Sequence, residues 1–318
     1  MSVDLSVRLG PVVLDNPILT ASGLWGYGLD YVDLVDPSQL GAVVTKTLTI
    51  EPRLGNPQPR MRELAHGILN SIGLENVGLA AFIQTKLGDL RDRNVDVIVS
   101  IAAREESEFA EMIGELSDHE GWIGVELNLS CPNVARGGMD FGRDPERVER
   151  IVRSAKKALP ADKCLLVKLT PNSTEIGVLA AAGESGGADA ISCINAAVGL
   201  EVDLERRRPV FARGTAGYSG PAILPIALAK VWEVSHAVTI PVVGIGGIST
   251  LEDVLSFMVV GASAVQIGTA LLAQPDLADS FVKRLAGELE SRGMTRPGDM
   301  LADELRELRQ AELRTRPR

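Results

Sequence analysis

Val125-Glu126-Leu127-Asn128-Leu129-Ser130-Cys131-Pro132-Asn133-Val134 reads as a buried strand that ends in a polar, reactive tip. The apolar residues ahead of Asn128 suit a strand covered on both faces. Pro132 cannot extend a sheet ladder, so the chain leaves the sheet close to Cys131. Two carboxamides and a thiol therefore gather at the carboxyl end of a strand. In an α/β protein ligands bind there, and in a barrel the chemistry sits there. A free Cys standing alone is more often a small core hydrophobe, so the rest of the chain decides its meaning.

Seven more short apolar runs resemble this one, with helical segments between them. The eight are 17–21, 42–46, 95–101, 123–129, 164–169, 188–194, 241–245 and 264–267. Strands alternating with helices imply parallel βαβ units. Eight of them in a chain of 318 residues point to a closed (β/α)₈ TIM barrel before an open sheet. Asp144-Pro145-Glu146 opens a helix over 147–159, Gly220-Pro221 opens one over 222–235, and Ser249-Thr250 caps one over 254–260.

Three stretches stand outside the alternation. Leu5, Val7 and Leu9 alternate in a short extra strand suited to plugging the amino-terminal end of the barrel. Segments 47–78 and 196–220 are long insertions leaving the carboxyl ends of the second and sixth strands, where loops build lids and pockets. The tail, 297–318, reads as a helix with a frayed basic end. The whole chain is expected to be a single barrel domain, 1–318, carrying these two insertions.

Composition narrows the function. At 45% hydrophobic and 23% charged, the chain is an ordinary globular protein able to bury a large core. A formal net charge of -10 argues against nucleic acid and anionic membrane as partners, so local groups must hold any anionic ligand. No apolar run approaches the roughly 18 residues of a membrane span, and Met1-Ser2-Val3-Asp4-Leu5 lacks the basic start and apolar core expected of a signal peptide. A cytoplasmic protein is expected. Cys131, Cys164 and Cys193 form no Cys-x-x-Cys pair, and His66, His119 and His236 are scattered, so neither disulfides nor a metal site is expected.

Glycines, lysines and asparagines then define a binding site. Gly244-Ile245-Gly246-Gly247 follows the seventh strand and Gly268-Thr269 the eighth, the two strands whose loops often bind phosphate through bare N–H groups. Ser219-Gly220-Pro221 adds a helix amino-terminus that favours an anion. Lys46 ends the second strand and Lys168 lies within the fifth, and a buried ammonium must meet a ligand or a carboxylate. A structural ion pair and a Schiff-base lysine are both open readings for Lys168. Asn70, Asn128, Asn133 and Asn195 offer donors and acceptors in one plane, matching the N–H and C=O edge of a pyrimidine or amide ring.

The segments Leu19-Thr20-Ala21-Ser22-Gly23, Thr45-Lys46-Thr47, Asn70-Ser71-Ile72-Gly73-Leu74, Asn128 to Asn133 and Gly246-Gly247 resemble the dihydroorotate dehydrogenases over nearly the whole chain. Asn133 to Gly138 and Phe141-Gly142 are most similar to the class 1B catalytic subunit. The resemblance implies an FMN-containing barrel that oxidises dihydroorotate to orotate in pyrimidine biosynthesis. It implies FMN contacts from Ser22, Lys46, Thr47, Ser100, Asn128, Lys168, Ile194, Gly220, Gly246, Gly247, Gly268 and Thr269. Lys46, Asn70, Ser71, Ile72, Gly73, Leu74, Asn128, Asn133, Asn195 and Ala196 are implied around the substrate, with Cys131 as the base. Ala196 stands where the family usually has a hydroxyl residue. Cys193 stands where an aliphatic residue is common.

The resemblance further implies a homodimer core within a heterotetramer, whose partner subunit carries FAD and a 2Fe-2S cluster and passes electrons to NAD. This chain has neither the cysteines for a cluster nor a dinucleotide fingerprint. A fumarate-reducing class 1A enzyme, a dihydropyrimidine dehydrogenase-like reductase, a lyase working through Lys168, and a catalytically silent flavin scaffold are the competing readings.

Overall fold

A computed structural model describes residues 3–129 and 141–315 of the chain. A hairpin of β1 (Val7–Leu9) and β2 (Val12–Leu14) comes first. The chain then runs through β3 (Ile18–Thr20), β4 (Val43–Val44), β5 (Met61–Leu64), β6 (Gly67–Asn70), β7 (Val97–Ile101), β8 (Gly124–Asn128), β9 (Cys164–Leu169) and β10 (Ala190–Cys193). It continues through β11 (Ala197–Gly199), β12 (Val202–Asp203), β13 (Arg208–Pro209), β14 (Ala216–Ser219), β15 (Val242–Ile245) and β16 (Ala262–Ile267).

Eight of these strands, in the order β3-β16-β15-β10-β9-β8-β7-β4, form one parallel sheet. A parallel bridge from Leu19 to Ala42 closes it into a barrel, reinforced by the Gly41 N–H donating to the Ile18 carbonyl at 2.9 Å. Each of the eight apolar runs supplies one of these strands, and the expected TIM barrel is the fold. β7, β8, β9, β10 and β15 are buried at every position, because helices cover one face and the barrel interior the other.

The helices start where their caps predict. Asp144 accepts from the N–H groups of Glu146 and Arg147 to open Pro145–Ala158, and Thr250 with Asp253 forms a capping box at Leu251–Val259. Pro221–Ile223 forms a single 3₁₀ turn leading into Leu224–Ala237.

Inside the barrel the strands stack three levels of side chains. The floor is apolar: Leu19, Val44, Ile98, Leu166, Ala190, Val243 and Ala264 pack together, closed from below by Leu9 and Leu14 of the hairpin. The expected amino-terminal plug is therefore a hairpin, its turn made by Gly10 at φ +59°. Above the floor, Ser100, Glu126, Lys168, Ser192 and Gln266 are buried polar residues one step further along their strands. The mouth follows.

The insertions at 47–78 and 196–220 pair with each other. β14 pairs antiparallel with β6, and β11 and β5 flank them, giving one four-stranded sheet over the mouth. The tail is not frayed as far as Leu305, which is fully buried, with the Ala302 N–H donating to the Val259 carbonyl at 3.1 Å.

Candidate active site

A cavity of about 380 Å³ lies between the carboxyl ends of the barrel strands and the four-stranded sheet. That volume is in the range of small-molecule sites. Ser22, Lys46, Thr47, Asn70, Ile72, Gly73, Leu74, Asn128, Lys168, Ile194, Asn195, Ala196, Gly220, Gly246, Gly247, Gly268 and Thr269 all line it. Ser71 and Ser100 stand behind the wall. Ser71 accepts from the Asn56 side-chain amide at 3.1 Å, and Ser100 shares a 2.9 Å hydroxyl hydrogen bond with Thr47. Cys131 and Asn133 lie outside the described residues.

One end of the cavity is built from backbone. Gly246 (φ +129°) and Gly247 (φ +79°) hold conformations that L side chains rarely adopt. A Cβ on Gly247 would also lie 2.6 Å from the Leu224 backbone nitrogen, where the Leu224–Ala237 helix begins. The N–H groups of Gly246, Gly247, Gly268 and Thr269 have no acceptor among the described residues. The Thr269 hydroxyl donates to Ser219 Oγ at 2.8 Å beside them. Free N–H groups, a helix start and bare glycines make an anion cradle.

The opposite wall carries charge and carboxamides. Lys168 Nζ reaches Ser22 Oγ at 3.1 Å, Glu126 Oε1 at 3.4 Å and Gln266 Oε1 at 3.5 Å. The Asn195 amide donates to Asn128 Oδ1 at 3.3 Å, the Asn128 amide to Thr47 Oγ1 at 3.4 Å, and the Asn70 amide to the Gly217 carbonyl at 3.3 Å. Asn70 hangs from the lid sheet while Asn128 and Asn195 rise from the barrel, so carboxamides face the cavity from both sides. Burial pushes the Lys46 ammonium below its ordinary value, partly opposed by the Glu75 carboxylate. Glu75 itself is held low by its hydrogen bond with Arg60, 2.6 Å away.

The Leu129 carbonyl accepts from the Gly142 N–H at 3.1 Å, and Phe141 is buried edge-on against Phe109 under the Arg147 guanidinium. Of the other two cysteines, burial raises the Cys164 thiol to about 12 and pushes Cys193 higher still, so both are inert filler.

Sequence reasoning missed Glu126 and Gln266. The rule that exposed Lys168, a charge within a buried strand, applies equally to Glu126, two residues before Asn128 on the same strand face. It also missed Gly217 and the apolar lid residues Met61 and Ile68, which line the cavity only because the two insertions pair.

The family profile described as Dihydroorotate dehydrogenase matches residues 4–289. The chain is 48% identical over 285 residues to the protein named dihydroorotate dehydrogenase B (NAD(+)), catalytic subunit, of Solidesulfovibrio magneticus, spanning 90% of this chain and 93% of that one. It is 50% identical over 274 residues to the protein of the same name from Thermoanaerobacter sp., spanning 86% and 90%. Among solved structures, that of DHODH from Eimeria tenella in complex with ferulenol superposes with a TM-score of 0.78 at 21% identity. It covers 94% of this chain and 88% of that one. At that identity the likeness speaks for the fold alone.

Proposed function

Because the chain belongs to the dihydroorotate dehydrogenase family, we propose that it is the catalytic subunit of a class 1B enzyme, oxidising (S)-dihydroorotate to orotate in pyrimidine biosynthesis. The observation that carries this reading is the single cavity joining an anion cradle to a wall of two lysines and three carboxamides.

The residues present fit FMN. Gly246, Gly247, Gly268 and Thr269 offer free N–H groups to its phosphate, and Ser22, Lys46, Thr47, Asn128, Lys168, Ile194 and Gly220 line the remaining length. When bound, FMN supplies the two-electron acceptor for the hydride that leaves C6 of the substrate. The chain's own residues do the rest. Cys131 takes the proton from C5. A thiol with a reference pKa of about 8.5 is only a few per cent thiolate at neutral pH, so turnover rises into mild alkali. Lys46 counters the substrate carboxylate. Asn70, Asn128, Asn133 and Asn195 orient the ring through neutral donors and acceptors, and the segment Ser71 to Leu74 closes its side. Ala196 supplies no hydroxyl, leaving that contact to water. The four-stranded sheet keeps bulk water from the reacting carbons.

The relatives' names, as catalytic subunits, imply a partner; we read that partner as an electron-transfer subunit with FAD and a 2Fe-2S cluster, joined to a homodimer of this chain. We read residues 1–318 as one barrel domain with two insertions, working in the cytoplasm. Among the described residues no helix is long and apolar enough to cross a membrane.

The test compares acceptors with the isolated, purified chain. Dihydroorotate-dependent reduction of an artificial dye, with little reduction of NAD until the partner is added, is the expected result. Rapid fumarate reduction by the chain alone would assign class 1A instead, and a purified chain without a flavin spectrum would overturn the assignment. Borohydride trapping of substrate on Lys168 would favour a lyase.

A further inference from the structure

Glu126 is fully buried in the middle level of the barrel, directly beneath the cavity wall. It does not line the cavity. Its Oε1 lies 3.4 Å from Lys168 Nζ, and its Oε2 accepts from the Gln266 amide at 2.8 Å. The oxygen of the same Gln266 carboxamide faces the Lys168 ammonium at 3.5 Å. Lys168 does line the cavity, and its ammonium also reaches Ser22 Oγ on the rim. Glu126 and Gln266 thus hold the ammonium from the barrel side with one charged and one neutral acceptor.

A carboxylate so enclosed by protein is screened little by solvent, and its field extends into the low-dielectric cavity above. We propose that Glu126 is a positioning residue for the redox reaction: it fixes the Lys168 ammonium and, as its counter-charge, sets how strongly the cavity favours the reduced, more negative cofactor. This rests on the reading of the cavity as an FMN site. Gln266 supports the same arrangement by tying the carboxylate across to β16.

The consequence has a sign. Glu126→Gln removes one negative charge while keeping the side chain's shape. The ammonium is then less offset, and reduced FMN gains over oxidised FMN. Lys168→Met leaves the carboxylate uncompensated and acts in the opposite direction. The expected size for Glu126→Gln is about a tenfold tightening of reduced relative to oxidised FMN, which is a rise of about 30 mV for a two-electron couple.

The experiment is a spectroscopic redox titration of purified, FMN-loaded chains: wild type, Glu126→Gln and Lys168→Met. A potential that rises in the first variant and falls in the second supports the proposal. A Glu126→Gln chain that keeps the wild-type potential overturns it, even with a lowered melting temperature, because a purely structural carboxylate moves stability alone. If Glu126→Gln alone does not yield folded protein, Lys168→Met is compared with the double variant Lys168→Met/Glu126→Gln. The double variant should have the higher potential, and equality refutes the idea. A wild-type chain that takes up no FMN overturns the reading of the cavity and this proposal together, whereas a loaded wild type with an unresponsive variant overturns this proposal alone.

Discussion

Replacing Gly247 by Ala tests the anion cradle with a single methyl group. Two costs add. The backbone at φ +79° sits in the region where a Cβ crowds the following carbonyl, about 1–2 kcal/mol for an L residue. The methyl also lies 2.6 Å from the Leu224 nitrogen and 2.7 Å from its Cα, atoms of a helix start that cannot rotate aside. Overpacking of that kind costs about 1–3 kcal/mol. Together the loss is about 2–5 kcal/mol, seen in thermal melts of the flavin-free, 318-residue protein as roughly 1.5 °C per kcal/mol. The relief available is movement of the 246–248 turn away from the helix, which also moves the free N–H groups. FMN titration by fluorescence should therefore show at least a tenfold weaker Kd, equivalent to about 1.4 kcal/mol. Gly287→Ala is the control. It lies on the exposed face of the Leu277–Ser291 helix with nothing within 4 Å of the added methyl, and should stabilise by about 0.5–1 kcal/mol with FMN affinity unchanged. A Gly247→Ala protein with wild-type melting and wild-type FMN affinity would refute the reasoning.

Cys131→Ala should retain FMN, with a normal flavin spectrum, while dihydroorotate oxidation falls by several orders of magnitude; near-normal turnover would remove Cys131 as the base. Lys46 has a folded-state pKa below the ordinary 10.5, so between that lowered value and 10.5 the unfolded chain binds more protons and stability rises with pH. Denaturation midpoints of flavin-free protein should show wild type gaining on Lys46→Met through this alkaline window, and a constant difference would contradict it. Trp122 donates its indole N–H to the carbonyls of Leu116 and His119, at 3.0 and 2.9 Å, capping the Glu106–Ser117 helix. Trp122→Phe keeps most of the apolar burial but loses both hydrogen bonds, while the Leu116 carbonyl keeps the His119 N–H, so it should cost about 0.5–1.5 kcal/mol in chemical denaturation.

The barrel was legible because its strands are short apolar runs that recur with helix-length segments between them. Their limits follow local bonding: β4 is only Val43–Val44, since the Lys46 N–H donates to the Gly26 carbonyl instead of to the sheet. The lid was not legible. Its defining bond, from the Asn70 amide to the Gly217 carbonyl, joins residues 147 apart, and no local pattern encodes that register. The strand Met61-Arg62-Glu63-Leu64 shows no two-fold alternation, because one side faces solvent and the other a ligand cavity that admits polar groups. The ligand-facing residues were legible from chemistry, through Lys in a strand, Gly after a strand and Asn at a strand end. Their supports, Glu126 and Gln266, lie deeper and show only as charge or amide in an otherwise apolar run.

That deeper level explains how one barrel serves both stability and chemistry. The floor beneath it, with the hairpin residues Leu9 and Leu14, is a close-packed apolar layer of the kind that stabilises any barrel. One step up, a buried carboxylate, ammonium and carboxamide replace apolar volume, a substitution that at other sites is neutral or unfavourable by about 1–4 kcal/mol against well-packed hydrophobic residues. Stability alone gives no reason for it. The layer lies directly under the wall that Lys168 presents to the cavity, and Glu126 and Gln266, bonded to each other, both face that ammonium. The barrel therefore concentrates its energetic concessions at the one level where a fixed charge acts on the ligand above, and keeps the level below dry.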